Sequence, residues 1–194
     1  MLTELKRGFS FTVVTMLLFG GAYHAALWTL GRVAFPSQVE GSLIRRDDGS
    51  IVGSRLIAQA VTEPQYVHPR PSAVDYNAGS TGGSNLGPSN PDHLTVVRER
   101  LTETTVRESV PASVVPSEMV TTSGGGLDPH IPPSAAALQV RRVAAARGLP
   151  VERILSLIDL HTEPPTFGFL GRARINVLEL NLALDDTSMA LLAR

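Results

Sequence analysis

Between Phe9 and Leu30 lie 22 residues without a single Asp, Glu, Lys or Arg, and no other stretch constrains the architecture of this chain as strongly. As a helix rising about 1.5 Å per residue, the run is roughly 33 Å long, enough to cross a hydrocarbon core of about 30 Å. Lys6 and Arg7 sit directly before it. Positive charge flanking a first span tends to stay in the cytoplasm, which places the N-terminus inside and the remainder of the chain outside. Glu4 on the near side and Arg32, Arg45 and Arg46 on the far side weaken that signal. Trp28 falls where an interfacial aromatic belongs. A cleaved signal peptide is the alternative, with Gly20-Gly21-Ala22 as its small-residue site. The apolar run continues beyond it through Ala25, Ala26, Leu27 and Leu30, which favours an uncleaved anchor. Gly20, Gly21, Ala22 and Ala25 offer the small surface by which membrane helices approach one another. His24 is the one ionisable group in the span; it either faces a partner helix or lies near the interface as neutral imidazole. The expected organisation is a short cytoplasmic segment (1–8), a transmembrane helix (9–31) and an extracytoplasmic domain (32–194).

The 194 residues suffice for that anchor and one further domain. With 17 Lys+Arg against 18 Asp+Glu and a net charge of −1, the chain lacks the basic stripe of a nucleic-acid binder. There is no cysteine, so disulfides, thiolate metal sites and cysteine nucleophiles are excluded.

Beyond the span, Ser42 to Arg45 and Ile51 to Ile57 lean towards β structure, and Asp47-Asp48-Gly49 between them is a hairpin signal. A stretch rich in Pro, Gly, Ser and Asn follows, from Glu63 to Pro91. Asn90-Pro91 reads as an N-cap with proline at the first helical position, opening a helix with Leu94, Val97 and Leu101 on one face. Thr121 to Pro133 is a second Gly/Pro-rich loop. Ser134 is suited to cap a helix carrying Leu138, Val140, Val143 and Ala144 and ending at Gly148. Val151 to Leu160 reads as another short helix. Leu178, Leu180, Leu182 and Leu184 alternate with Glu179, Asn181 and Ala183, the period-2 pattern of a half-buried strand. The fold class expected is therefore α+β, a single mixed domain after one transmembrane helix.

The two long loops carry whatever chemistry there is. A phosphate-binding loop needs a lysine after its glycines, and the only lysine, Lys6, precedes the span; glycines serving turns at positive φ are the simpler reading. His68, Asp75, His93, Asp128 and His130 match no zinc spacing, so no metal is expected. Asp128-Pro129-His130 reads as a turn whose carboxylate accepts local N–H groups. Ser123, Asp128 and His130 compose a hydrolytic triad only on paper, since there is no Gly-x-Ser-x-Gly elbow. No catalytic residue is assigned. Arg141, Arg142, Arg147 and Arg153 read as a solvated basic face with some attraction for lipid headgroups.

The motifs in these loops resemble a known family. Arg70-Pro71-Ser72-Ala73, Tyr76-Asn77 and the run Gly82 to Pro91 are similar to the signature of the C subunit of Kdp-type potassium-importing ATPases. So are Ser123 to Ile131 and Asn176-Val177-Leu178-Glu179-Leu180-Asn181. Val67 and Pro132-Pro133 depart from the family pattern. The resemblance implies an accessory, non-catalytic subunit of the bacterial inner membrane. Its implied partners are a channel-like potassium-translocating subunit, a P-type ATPase subunit and a very small membrane peptide, besides membrane lipid. Potassium is then the transported ion. ATP enters through the pump subunit, because this chain has no Asp-Lys-Thr-Gly stretch. The family's C subunit is also described as promoting nucleotide use by the pump. That role conflicts with loops lying outside the membrane, so the domain is expected over the outer mouth of the potassium path. The residues expected to face partners or ligand are Tyr76, Asn77, Asn85, Asn90, Asp128 and His130, and Gly20, Gly21, Ala22, His24 and Ala25 within the membrane. A free-standing exported ligand-binding domain is the alternative function.

Overall fold

A computed structural model describes residues 1–46 and 48–192, with side chains up to 187. Asp47 of the expected turn lies outside the described residues. The chain divides into two compact units, Met1–Leu43 and Ile44–Arg194.

In the first unit the apolar run is one helix from Leu2 to Ala34, longer than the uncharged stretch because its flanks are helical too. It comprises α1 (Leu2–Thr15), a π-helical segment (Met16–Ala22) and α2 (Tyr23–Ala34). The π segment contains Gly20-Gly21, residues that hold an α-helix least firmly. The large apolar side chains along this helix are exposed, among them Phe9, Leu17, Phe19 and Trp28. The guanidinium of Arg32 lies 5.2 Å from the Trp28 ring centre, which suits an interfacial position. A short helix, α3 (Pro36–Val39), follows.

The expected hairpin is present as β1 (Leu43–Arg45) and β2 (Ile51–Ser54). The second unit then builds its core from three helices and a small sheet, with a fourth helix packed against the first of the three. α4 (Pro91–Glu108) is capped by Asn90, whose Oδ1 accepts the Asp92 N–H at 2.8 Å. Leu94 is 40 % exposed, so the inner face of α4 continues from Val97 and Leu101 through buried Thr104 and Glu108 instead. Next come β3 (His130–Ile131), α5 (Pro133–Arg147), α6 (Val151–Leu160), β4 (Thr162–Glu163), β5 (Arg174–Asn176) and α7 (Val177–Leu192). The strands form an antiparallel sheet in the order β3-β5-β4. Ile131 and Thr162 flank Ile175 on either side in register.

Two sequence expectations change here. Ser134 is not the cap of α5: Pro132 holds that position and Pro133, with φ already fixed, starts the helix two residues earlier than a Ser134 cap would. Leu178 to Leu184 is not a strand but part of α7. Its buried positions are Val177, Leu180, Asn181 and Leu184, the i, i+3, i+4, i+7 spacing of a helix face. The Asn176 side chain accepts the Glu179 N–H at 3.2 Å, capping α7 where β5 ends. Asn followed by Glu three residues on is a helix-start signature, and it prevails over the alternation of leucines. The core gathers Ile131 and Ile175 from the sheet, Val140 and Val143 from α5, Ile154 from α6, and Leu180 and Leu184 from α7. Val67, from the first long loop, joins them at 1 % exposure.

Candidate functional site

Val67 and His68 are extended chain running between α5 and α7. In such backbone, neighbouring residues aim their N–H and C=O groups to opposite edges, and each edge meets a buried amide. Val67 N–H donates to Asn181 Oδ1 at 2.8 Å, and Asn181 Nδ2 donates back to the Val67 carbonyl at 2.9 Å. On the other edge His68 N–H donates to Gln139 Oε1 at 2.8 Å, and Gln139 Nε2 donates to the His68 carbonyl at 3.1 Å. Gln139 and Asn181 are both buried, so the two amides stand in for absent neighbouring strands.

Arginines from α5 hold the preceding residues. Arg142 Nε donates to both Glu108 oxygens at 3.1 Å, while Nη1 donates to the carbonyls of Pro64 at 2.6 Å and Tyr66 at 2.9 Å. Burial draws the Arg142 pKa below its usual value, and the Glu108 carboxylate opposes that shift. Arg147 Nε donates to the Gln65 carbonyl at 2.7 Å and Nη2 to Asp185 Oδ1 at 2.8 Å. Its guanidinium lies 5.0 Å from the ring centre of Tyr66, whose hydroxyl donates to Asp185 Oδ2 at 3.1 Å. The expected solvated basic face is therefore half wrong. Arg141 and Arg153 are exposed, but the side chains of Arg142 and Arg147 are only 10 % and 5 % exposed. Arg147 follows Gln139 and Val143 at four-residue steps, so it shares their inward stripe.

The two Gly-rich loops close on each other. Gly82 N–H donates to the Gly125 carbonyl at 3.1 Å, Ser123 N–H to the Pro71 carbonyl at 3.3 Å, and Ser72 Oγ to the Gly126 carbonyl at 2.7 Å. Gly126 has φ +72, and a Cβ there would lie 2.7 Å from Val74 and 2.9 Å from the Gly82 carbonyl. Only glycine fits that crossing.

Three expected site residues are joined through a residue that sequence reasoning had not singled out, Arg70. Tyr76 hydroxyl donates to the Arg70 carbonyl at 2.8 Å, and Arg70 Nη1 donates to Asp128 Oδ2 at 3.3 Å. Asp128 Oδ1 accepts the His130 N–H at 3.0 Å, the turn expected for Asp-Pro-His, with His130 Nδ1 at 3.5 Å. Burial raises the pKa of Tyr76, so its hydroxyl stays a donor at neutral pH. Burial likewise lowers the pKa of His68, helped by Arg142 and Arg107 and opposed by its bond to the Glu63 carbonyl. Ser123 is 3 % exposed and its hydroxyl faces the Asp128 N–H at 3.5 Å, which does not suit a nucleophile. Asn77, Asn85 and Asn90 lie apart from that cluster. Asn77 braces its own turn through Gly79 N–H at 3.0 Å, Asn85 is exposed at φ +54, and Asn90 is the cap of α4. Gln139, Asn181 and Glu108 were missed; their only signal is a polar residue at a core position of a helical repeat.

In the first unit, Gly20, Gly21 and Ala22 lie in the π segment and Ala25 in α2, all exposed. His24 Nδ1 is 2.7 Å from the Phe19 carbonyl, so the helix itself satisfies one ring nitrogen. A Cβ at Gly21 would meet nothing within 4 Å.

The profile of the family described as "K+-transporting ATPase, c chain" matches residues 5–186. A potassium-transporting ATPase KdpC subunit from Polaromonas naphthalenivorans is 49 % identical over 175 residues, covering 89 % of each chain. The protein of the same name from Shewanella putrefaciens is 47 % identical over 183 residues, 92 % of this chain and 89 % of that one. Its counterpart from Beijerinckia indica is 44 % identical over 187 residues, 95 % and 94 % respectively. With a family profile spanning nearly the whole chain, and relatives at this identity over about nine-tenths of their length, the chain belongs to the KdpC family of potassium-transporting ATPase subunits.

Proposed function

We propose that this chain is a non-catalytic accessory subunit that docks its loop-built face on the outer surface of the potassium-translocating subunit. Its N-terminal helix packs among the membrane helices of the complex, which also holds the P-type ATPase subunit and the small membrane peptide. The observation that carries this reading is the mutual closure of the two Gly-rich loops, with Gly82 N–H on the Gly125 carbonyl and Gly126 fitted against Gly82 and Val74. Gly82 N–H, Ser123 N–H and the carbonyls of Gly125 and Gly126 are engaged between the loops. Outside these contacts the loops carry Asn77 and Asn85 exposed to solvent, and Asp128 and His130 beside an open concavity, as polar groups a partner can meet. Loops held on a firm scaffold are where recognition usually resides. The open space beside Gly21 supports the membrane half of the proposal, since those glycines are not needed by the chain's own packing. ATP is bound and hydrolysed by the pump subunit, and assembly is this chain's contribution. The free-standing ligand-binding alternative has less support, because the concavity beside Arg70, Asp128 and His130 is open to solvent. Isothermal titration of the purified chain with ATP tests the loop reading. No saturable heat is expected, and low-micromolar binding would return the glycines to a phosphate-binding role.

A further inference from the structure

The connection between β4 and β5 ends in an apolar tip, where two phenylalanines and a leucine stand exposed within four residues. Glu163 pairs with Arg174 across the ladder, and beyond that rung residues 164–173 project as a narrow loop. Thr166 and Leu170 close it with two backbone hydrogen bonds, each 2.9 Å. At the tip Phe167, Phe169 and Leu170 are 83 %, 75 % and 50 % exposed. Phe167 also holds φ +55, a left-handed conformation that a bulky side chain adopts at a cost. Both phenyl rings of the tip stand in water.

We infer that this tip is a second membrane contact, with Phe167, Phe169 and Leu170 entering the headgroup region of the bilayer and Arg172 meeting lipid phosphate. Charge agrees with that occupant. From Pro164 to Arg174 there are two arginines and no acid. Arg174 is neutralised by Glu163 at 2.9 Å. The Arg172 side chain is 90 % exposed and only 3.9 Å from its loose partner Glu118. Aromatic and leucine side chains beside a cation are what interfacial segments use against anionic lipid. Chain length agrees as well. Residues 35–43 join the apolar helix to Ile44, and nine residues reach at most about 32 Å. A domain of this size has a radius of gyration of about 15 Å, so its surface stays within reach of the bilayer. The inference needs the membrane-spanning helix but not the side on which the domain lies, nor its docking on the potassium-translocating subunit.

The absence of cysteine permits a direct test. In the full chain, Leu170→Cys carries an environment-sensitive fluorophore, with Ser134→Cys at an exposed position of α5 as control, reconstituted in nanodiscs containing phosphatidylglycerol. The Leu170 label should emit to the blue and lose about half or more of its intensity to lipids spin-labelled near the headgroup, while the control does neither. Phe167→Ser with Phe169→Ser, and separately Arg172→Glu, should return the label to water without changing the melting temperature. A label that remains in water and unquenched overturns the inference. So does one that becomes shielded only after co-assembly with the other subunits, which would make the tip a protein contact.

Discussion

Asn181 and Gln139 show how far single side chains determine the path of the long first loop. Each is buried in a helix and gives both its donor and its acceptor to the backbone of one loop residue, Val67 or His68. Removing such an amide leaves a buried N–H and a buried carbonyl unsatisfied, at about 1–3 kcal/mol for each group. Asn181→Ala should therefore lower the unfolding free energy of the full chain in detergent by about 2–5 kcal/mol, read by urea titration. The far smaller loss of an exposed polar residue, under about 0.5 kcal/mol, would mean that the Val67 segment is not held in this way. Some of this scale was visible in the sequence. Asn90 before Pro91 is a local signal, and it caps α4 as expected. Asp128 likewise forms its turn with His130. Asn181 and Gln139 had no such signal, because their partners lie 114 and 71 residues away. Arg142 and Arg147 misled for a related reason: local charge suggested solvent, while their partners come from α4, α7 and the Pro64–Tyr66 loop.

Elements that depend on neighbours along the chain were legible, and those fixed by distant contacts were not. α5 stops at Gly148 in the left-handed region and α6 fills Val151–Leu160, both as the sequence indicates. α7 was mistaken for a strand because leucines at every second position satisfy alternation and a helical stripe together. Leu180, Leu184 and the cap at Asn176 decide for the helix. The glycines of both loops read as turn residues, yet nothing in either loop predicts that the two bind each other. Their weakest point is Gly126, where positive φ and contacts below 3.0 Å coincide. Gly126→Ala should separate the loops, lower the melting temperature and expose Val74 and Leu127 to proteolysis nearby, whereas Gly124→Ala, with open space at its Cβ, should be mild. Equal behaviour of the two variants in limited proteolysis would contradict this packing.

At the scale of the molecule, an apolar helix and a mixed α+β unit place one part of the chain in lipid and the other in water. Lys6 and Arg7 before the span are the ground for proposing that this second unit lies outside the cytoplasm. Ser134→Cys, at an exposed position of the cysteine-free chain, should react with an impermeant maleimide added to intact cells, and protection until lysis would reverse the orientation. The resemblance in the loops led to the right family because those motifs are dense over most of the chain. What the motifs do is a separate matter, since Asn90 and Asp128 have structural duties that would preserve them in any case. Asn85 and His130 separate the two roles better: Asn85 is exposed, and the His130 ring has only a long contact to Asp128. The most direct measurement is the amount of this chain recovered with tagged translocating subunit from membranes, made alongside the melting temperature of the chain alone. Docking through these loops predicts that Asn85→Gly, which tolerates the left-handed φ at that position, combined with His130→Ala lowers recovery by about tenfold, the effect of roughly 1.4 kcal/mol of lost contact, with melting unchanged. Full recovery of the double variant, or a loss that merely follows earlier melting, would contradict it.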